Sequence, residues 1–135
     1  MRALVQRVTR ASVDVDGEQV ASIDRGFLVL LGVSTEDTSK EAGMLARKVA
    51  GLRIFEDDAG KMNLGLAEVC GEMLCISQLT LYGDVRKGRR PSFSWSAPAE
   101  VARPLYEEFC AAVESEGVVC RLGRFQEHME VQLVN

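Results

Sequence analysis

At 135 residues the chain has room for one domain, residues 1–135, with a core of its own. Hydrophobic residues at 47% and charged residues at 27% are ordinary globular values, and the net charge of −4 excludes indiscriminate nucleic-acid binding. No apolar run approaches the roughly 20 residues that span a bilayer, and the opening Met1-Arg2-Ala3-Leu4-Val5-Gln6-Arg7 lacks the apolar stretch of a secretory signal, so a soluble, cytoplasmic protein is expected.

Residues 2–8 read as a strand. Ser12-Val13-Asp14-Val15 alternates with period two, and Asp16-Gly17 marks a hairpin because Gly17 readily takes a positive φ. The return strand is Glu18–Ile23. Gly26-Phe27-Leu28-Val29-Leu30-Leu31-Gly32-Val33 is apolar throughout, as expected of a strand buried on both faces.

A helix follows. Thr38 and Glu41 have capping-box spacing, and Ala42, Leu45, Ala46 and Val49 form a stripe at i, i+3, i+4 and i+7, with Gly51 at the end. Leu52–Phe55 reads as a short extended piece, residues 57–60 as a turn, and residues 72–81 as the central strand. The second helix lies within 98–116, where Val101, Leu105, Phe109, Ala112 and Val113 share a face and Pro104 starts or kinks the regular part. Two more strands, Val118–Leu122 and Met129–Val134, close the chain. The order implies an α/β fold: a mixed, mostly antiparallel, barrel-like sheet with two helices packed outside. No G-x-G-x-x-G or Walker-type phosphate motif occurs.

Cys70, Cys75, Cys110 and Cys120 lack Cys-x-x-Cys spacing, and His128 is the only histidine. No zinc site is expected, and the cysteines read as reduced thiols in hydrophobic settings.

The most informative stretch is Met73-Leu74-Cys75-Ile76-Ser77-Gln78-Leu79-Thr80-Leu81, followed by the basic cluster Arg86-Lys87-Gly88-Arg89-Arg90 and by Pro91-Ser92-Phe93. Four of the 16 basic residues fall in that cluster, leaving 12 against 20 acidic groups elsewhere. A strand that delivers hydroxyl and amide groups to its end, beside a positive field, suits a phosphate-bearing ligand. Ser77 and Thr80 are candidate nucleophiles, but no histidine–carboxylate pair for a hydrolase triad follows from spacing. Main-chain amides near 77–80 offer another route, holding the oxyanion of a tetrahedral intermediate. Cys75 as nucleophile with His128 is a rival. Strand alternation puts Cys75, Ser77 and Leu79 on one face, with Leu74, Ile76, Gln78 and Thr80 on the other.

Ser77-Gln78-Leu79-Thr80-Leu81 followed by Arg90-Pro91-Ser92-Phe93 resembles the D-aminoacyl-tRNA deacylases, which remove D-amino acids wrongly esterified to tRNA. The resemblance extends from Arg2–Val13 through Leu30–Val33, Arg53–Phe55, Gly60–Leu64 and Gly123–Phe125 to Met129 and Val131–Asn135. It implies hydrolysis of D-aminoacyl-tRNA, including glycyl-tRNA, by a homodimer without metal or organic cofactor. Catalytic Ser77, Gln78 and Thr80 would lie in a pocket dominated by backbone groups, with Leu79, Phe125 and Met129 bounding it. Leu79 stands where the family commonly has Phe. Arg7 would steady a Gly-cis-Pro loop from the partner subunit, and Arg86, Lys87, Arg89 and Arg90 would meet tRNA phosphates. The family continues past Leu-Val-Asn with Gly-Pro-Val-Thr, whereas this sequence stops at Asn135; a chain ending there is expected to show weak or non-selective activity. Two other readings stand beside this one: a non-catalytic module that binds a tRNA end or a partner, and a small-ester hydrolase using Cys75 or Ser77.

Overall fold

Asp16 and Gly17 turn the chain with φ of 52° and 78°, a pairing that matches the twist of the strands it joins. They connect β2 (Arg10–Val15) to β3 (Glu18–Ile23). The computed structural model describes residues 1–135. Around that hairpin stand β1 (Arg2–Val8), β4 (Gly26–Gly32), α1 (Ser39–Ala50), β5 (Phe55–Glu56), β6 (Met62–Leu64), β7 (Glu72–Ser77), α2 (Ala99–Ser115), β8 (Cys120–Leu122) and β9 (Glu130–Val134).

The strands form a four-stranded sheet in the order β1-β4-β7-β8, a three-stranded sheet β3-β2-β9, and a small β5-β6 ribbon. β4 runs antiparallel to β1 and parallel to β7, which is parallel to β8; every other pairing is antiparallel. The sheet is mixed and mostly antiparallel, as expected, but it does not close into a barrel. Strand-to-strand hydrogen bonding is confined to separate sheets, and side chains fill the space between the two larger ones.

Alternation along β4 and β7 explains the layering. Phe27, Val29 and Leu31, with Met73 and Cys75, face α1 and α2 in one core cluster. Leu28, Leu74 and Ile76 point the other way, against Val8, Ala11, Val13 and Ile23 of the first strands. Both central strands are therefore covered on two faces, which is why they read as continuous apolar runs.

The helices have local causes. At α1 the side chain of Thr38 caps the first turn, while Glu41 accepts the Thr38 N–H at 2.8 Å. Ala42, Ala46 and Val49 are buried, and Leu45 is partly buried. α2 begins after Pro98 and carries Pro104 in its interior, so Pro104 does not start it. The helix forgoes one hydrogen bond to the Glu100 carbonyl there, and Leu105, Phe109 and Val113 hold it to the core instead. Val101, expected on that face, is 40% exposed. Of the extended piece expected at 52–55, only Phe55 is in a strand.

Candidate active site

The central strand is shorter than its sequence suggests. β7 ends at Ser77, opposite Leu31 of β4, and the Gln78 N–H makes a last bond to the Leu31 carbonyl at 2.8 Å. Leu79–Tyr82 then winds into a single 3-10 turn. Gly32 makes room for it: a Cβ there would lie 3.0 Å from Leu81 Cβ and 3.2 Å from the Gln78 carbonyl oxygen. The alternation expected through Thr80 is thereby broken. Ser77, Gln78, Leu79 and Thr80 now line one cavity rather than two faces of a strand.

The turn leaves donors free. Leu81 N–H bonds the Gln78 carbonyl at 3.3 Å, Gly83 N–H bonds the Thr80 carbonyl at 3.0 Å, and the Ser96 hydroxyl donates to the Leu79 carbonyl at 2.9 Å. The N–H groups of Leu79 and Thr80, at the start of the turn, meet no acceptor within the chain. First-turn amides lack intrahelical partners for geometric reasons, and here both residues line a cavity. The Gln78 side-chain amide donates to the Thr80 hydroxyl, so these two side chains hold one another.

The cavity measures about 440 Å³, and the segment between β8 and β9 supplies its other wall. Phe125 and Met129 line it, as do Val33, Ile76 and His128. Gly123 lets Met129 fold inward, since a Cβ there would lie 2.7 Å from the Met129 sulfur. Phe125 is fixed from behind by Tyr106, with ring centroids 5.9 Å apart, and by the Arg103 guanidinium 5.0 Å from its centroid. His128 lines the cavity without a hydrogen bond to Ser77 or Thr80, so no nucleophile–base pair is assembled. Val33 and His128 were not expected in the wall. Val33 carries no signal beyond being apolar, whereas His128 could have been placed from its position beside Met129.

The rival nucleophile is out of reach. Cys75 is fully buried in the main core, and its carbonyl accepts both the Tyr106 hydroxyl at 2.8 Å and the Gly123 N–H at 3.1 Å. All four cysteines are free thiols. The Cys120 thiol is pushed far above its ordinary range by its hydrogen bond to Cys110 and by burial.

The remaining candidates lie apart from the cavity. Arg7 donates to the Ile54 carbonyl at 2.9 Å and borders a separate hollow with Arg25, Phe55 and Asn135. Lys87, Arg89 and Arg90 are exposed on a loop that an Asp84–Ser92 bridge closes at its base. Arg86 is engaged by Asp84 at 2.7 Å, and that hydrogen-bonded guanidinium lowers the Asp84 carboxyl to about 2. Three of the four cluster cations are thus free for another anion.

Comparison with known proteins agrees with this geometry. Residues 4–135 match the family model described as D-Tyr-tRNA(Tyr) deacylase. A D-aminoacyl-tRNA deacylase of Desulfatibacillum aliphaticivorans is 61% identical over 135 residues, covering 100% of this chain and 92% of that one. The corresponding Koribacter versatilis protein is 56% identical, with 100% and 91% covered. A solved structure titled c-Myc DNA Unwinding Element Binding Protein superposes with a TM-score of 0.92 at 42% identity, over 100% of this chain and 92% of that one. A probable eukaryotic D-amino acid tRNA deacylase shares the fold at a TM-score of 0.81 and 19% identity, over 97% of this chain and 91% of that one. A turn with two bare amides at a cavity, set in a sequence so closely related to these proteins, leads to one assignment: the chain belongs to the D-Tyr-tRNA(Tyr) deacylase family.

Proposed function

We propose that this protein hydrolyses the ester bond of D-aminoacyl-tRNA, and of glycyl-tRNA, releasing free amino acid and tRNA in the cytoplasm. The observation that carries the reading is the pair of unsatisfied N–H groups at Leu79 and Thr80, two residues that line the cavity. Attack of water on the ester carbonyl places negative charge on its oxygen, and two amides held by a closed turn are suited to receive it. Removing one such donor typically lowers the rate about 10²–10³-fold. Collapse of the intermediate expels the ribose oxygen, which takes up a proton, and the neighbouring ribose hydroxyl is suited to relay it. An aminoacyl ester is reactive enough that this does not require an ionised nucleophile from the chain.

In this reading Ser77, Gln78 and Thr80 border the reacting ester. Leu79, Phe125 and Met129 form apolar walls around the adenosine and the amino acid. Lys87, Arg89 and Arg90, with Arg86 as a minor contributor, meet the acceptor-end phosphates. The working unit is a homodimer, in which Arg7 steadies a loop of the partner subunit. The strand β9 supports an association of this kind: all five of its residues are exposed, including Val131 at 38%, Leu133 at 37% and Val134 at 41%. Exposed apolar strand residues on a sheet edge invite pairing with another chain.

The direct test is turnover. Catalytic amounts of the protein should release D-tyrosine from D-tyrosyl-tRNA over many cycles, with L-tyrosyl-tRNA assayed in parallel. Saturable binding of the charged tRNA without release would instead assign the chain to a binding module.

A further inference from the structure

A second cavity, of about 740 Å³, lies on the other side of the 3-10 turn. The two hollows are back to back. Thr80 lines the first and Tyr82 the second, and Val33 and Ser34, adjacent in sequence, divide between them in the same way.

The chemistry of the second hollow is selective. Trp95, the only tryptophan in the chain, lines it and is 49% exposed. Its backbone carbonyl accepts the Thr35 N–H at 3.0 Å, which fixes the segment while leaving the indole uncommitted. Three of the four carboxylates in the wall are engaged. Asp37 takes the Met1 amine and the Ser34 N–H, Glu41 takes the Thr38 N–H and hydroxyl, and Asp84 takes Arg86. Glu36 alone has no partner for its carboxylate, although its own N–H is bound by the Ser34 hydroxyl.

Of the cations in the wall, Arg86 is paired with Asp84 and Arg2 is held on the Leu81 carbonyl and over the Tyr82 ring, so the stacking platform beside the free Glu36 carboxylate does not favour a phosphate. It suits a nucleobase that presents an amino group. Bases stack on exposed aromatic rings in single-stranded recognition, and a carboxylate accepts from the cytosine N4 amino group, where uracil carries an acceptor. The cations of the neighbouring loop, Lys87, Arg89 and Arg90, lie outside the hollow, which leaves the sugar–phosphate side of the strand to them.

We propose that this hollow is a subsite for a cytidine preceding the terminal adenosine, with Trp95 stacking on the base and Glu36 accepting from its amino group. The inference rests on the placement of the adenosine in the cavity at residues 77–80. It adds a determinant that reads the RNA rather than the amino acid.

The test uses two non-hydrolysable, amide-linked mimics: D-aminoacyl-adenosine, and the same compound extended by a 5′ cytidine or a 5′ uridine. With the unmodified protein, the cytidine extension should tighten binding about 10-fold over the adenosine mimic and quench Trp95 fluorescence. The uridine extension should gain less. Trp95→Ala should abolish the gain while leaving the adenosine mimic's affinity in place, Trp95→Phe should retain part of the gain, and Glu36→Gln should remove the preference for cytidine over uridine. Equal affinities for the adenosine and cytidine-extended mimics, or equal weakening of both by Trp95→Ala, would overturn the subsite while sparing the first cavity. Failure of the adenosine mimic itself to bind would remove the placement at 77–80, and the subsite with it.

Discussion

The Tyr106 hydroxyl donates to the Cys75 carbonyl at 2.8 Å, one residue before β7 reaches the cavity at Ile76. The same carbonyl accepts the Gly123 N–H at 3.1 Å, so helix α2, strand β7 and the loop carrying Phe125 meet at one oxygen. Tyr106→Phe removes one of the two donors without orphaning the acceptor. The expected cost is therefore about 1 kcal/mol, read as a fall in melting temperature of about 4 °C.

The same residue predicts the alkaline limit of the fold. Burial, then the neighbouring cysteines, raise the Tyr106 phenol well above its ordinary value, and Cys120 is raised as well. The native state therefore holds protons that the unfolded chain releases. That stability is fully present below the unfolded values, about 8.5 for Cys and about 10 for Tyr, and is lost as pH rises above them. The urea midpoint should be flat between pH 6 and 8 and fall beyond pH 9. Above pH 10 the fall should be shallower in Tyr106→Phe, because one of the linked protons is gone.

Backbone donation at the turn can be separated from side-chain chemistry by one substitution. Leu79 is the first residue of the turn, where its N–H is unpartnered, and the preceding Gln78 is extended at φ −140° and ψ 88°. Proline is tolerated at such a first position and favours an extended residue before it. Leu79→Pro should keep the fold and lower kcat on D-aminoacyl-tRNA about 10²–10³-fold. Leu79→Ala, which trims a 54% exposed side chain but keeps the amide, should cost far less, as should Ser77→Ala. A kcat drop in Ser77→Ala as large as in Leu79→Pro would move the chemistry to the hydroxyl.

Much of this architecture was legible where the cause is local. The hairpin at Asp16-Gly17 follows from a positive φ, the start of α1 from Thr38 and Glu41, and the buried strand β4 from an unbroken apolar run. The 3-10 turn was not legible, because Ser77-Gln78-Leu79-Thr80-Leu81 continues a strand-like pattern. What permits the bend is Gly32, on a different strand and 46 residues before Gln78, through a close approach that no local window contains. Separation of the sheets was hidden for the same reason: which strands pair depends on contacts far apart in sequence. At the site, residues 77–80, Phe125 and Met129 were singled out through family resemblance and line one cavity. Arg7 stands in another hollow. Periodicity says nothing about where a side chain sits relative to a second subunit.

Thiol access follows from burial. Cys70 is exposed, whereas Cys75, Cys110 and Cys120 are buried. Iodoacetamide at pH 8 should add one label to the native protein, at Cys70, and four after unfolding in urea, as counted by intact mass. Rapid native labelling of Cys75 would show that the β7 core opens far more readily than its packing implies.

Dimer formation should depend on the exposed strand. Leu133 on β9 pairs with Ala11 of β2 and is 37% exposed. Leu133→Glu places a charge on that face, at a position that contributes little to the monomer core. Sedimentation should show a dimer for the unmodified protein and a shift toward monomer for the variant, with little change in far-UV circular dichroism. A variant that sediments as a dimer would place the interface elsewhere.

Binding of tRNA should reveal which cations touch phosphate. Arg86 is committed to Asp84, whose carboxyl stays ionised down to about pH 2, so its charge is largely neutralised before any RNA arrives. Lys87, Arg89 and Arg90 have no such partner among the ion pairs of the chain. Each phosphate contact on a single strand contributes about 0.7 to the slope of log K against log salt. Replacing Lys87, Arg89 and Arg90 together by Gln should lower the magnitude of that slope by about 2, whereas Arg86→Gln should change it by much less. If Arg86→Gln reduced the slope as much as any single member of the trio, Asp84 would not be shielding it. If the triple variant left the slope intact, the loop would not lie on the path of the RNA.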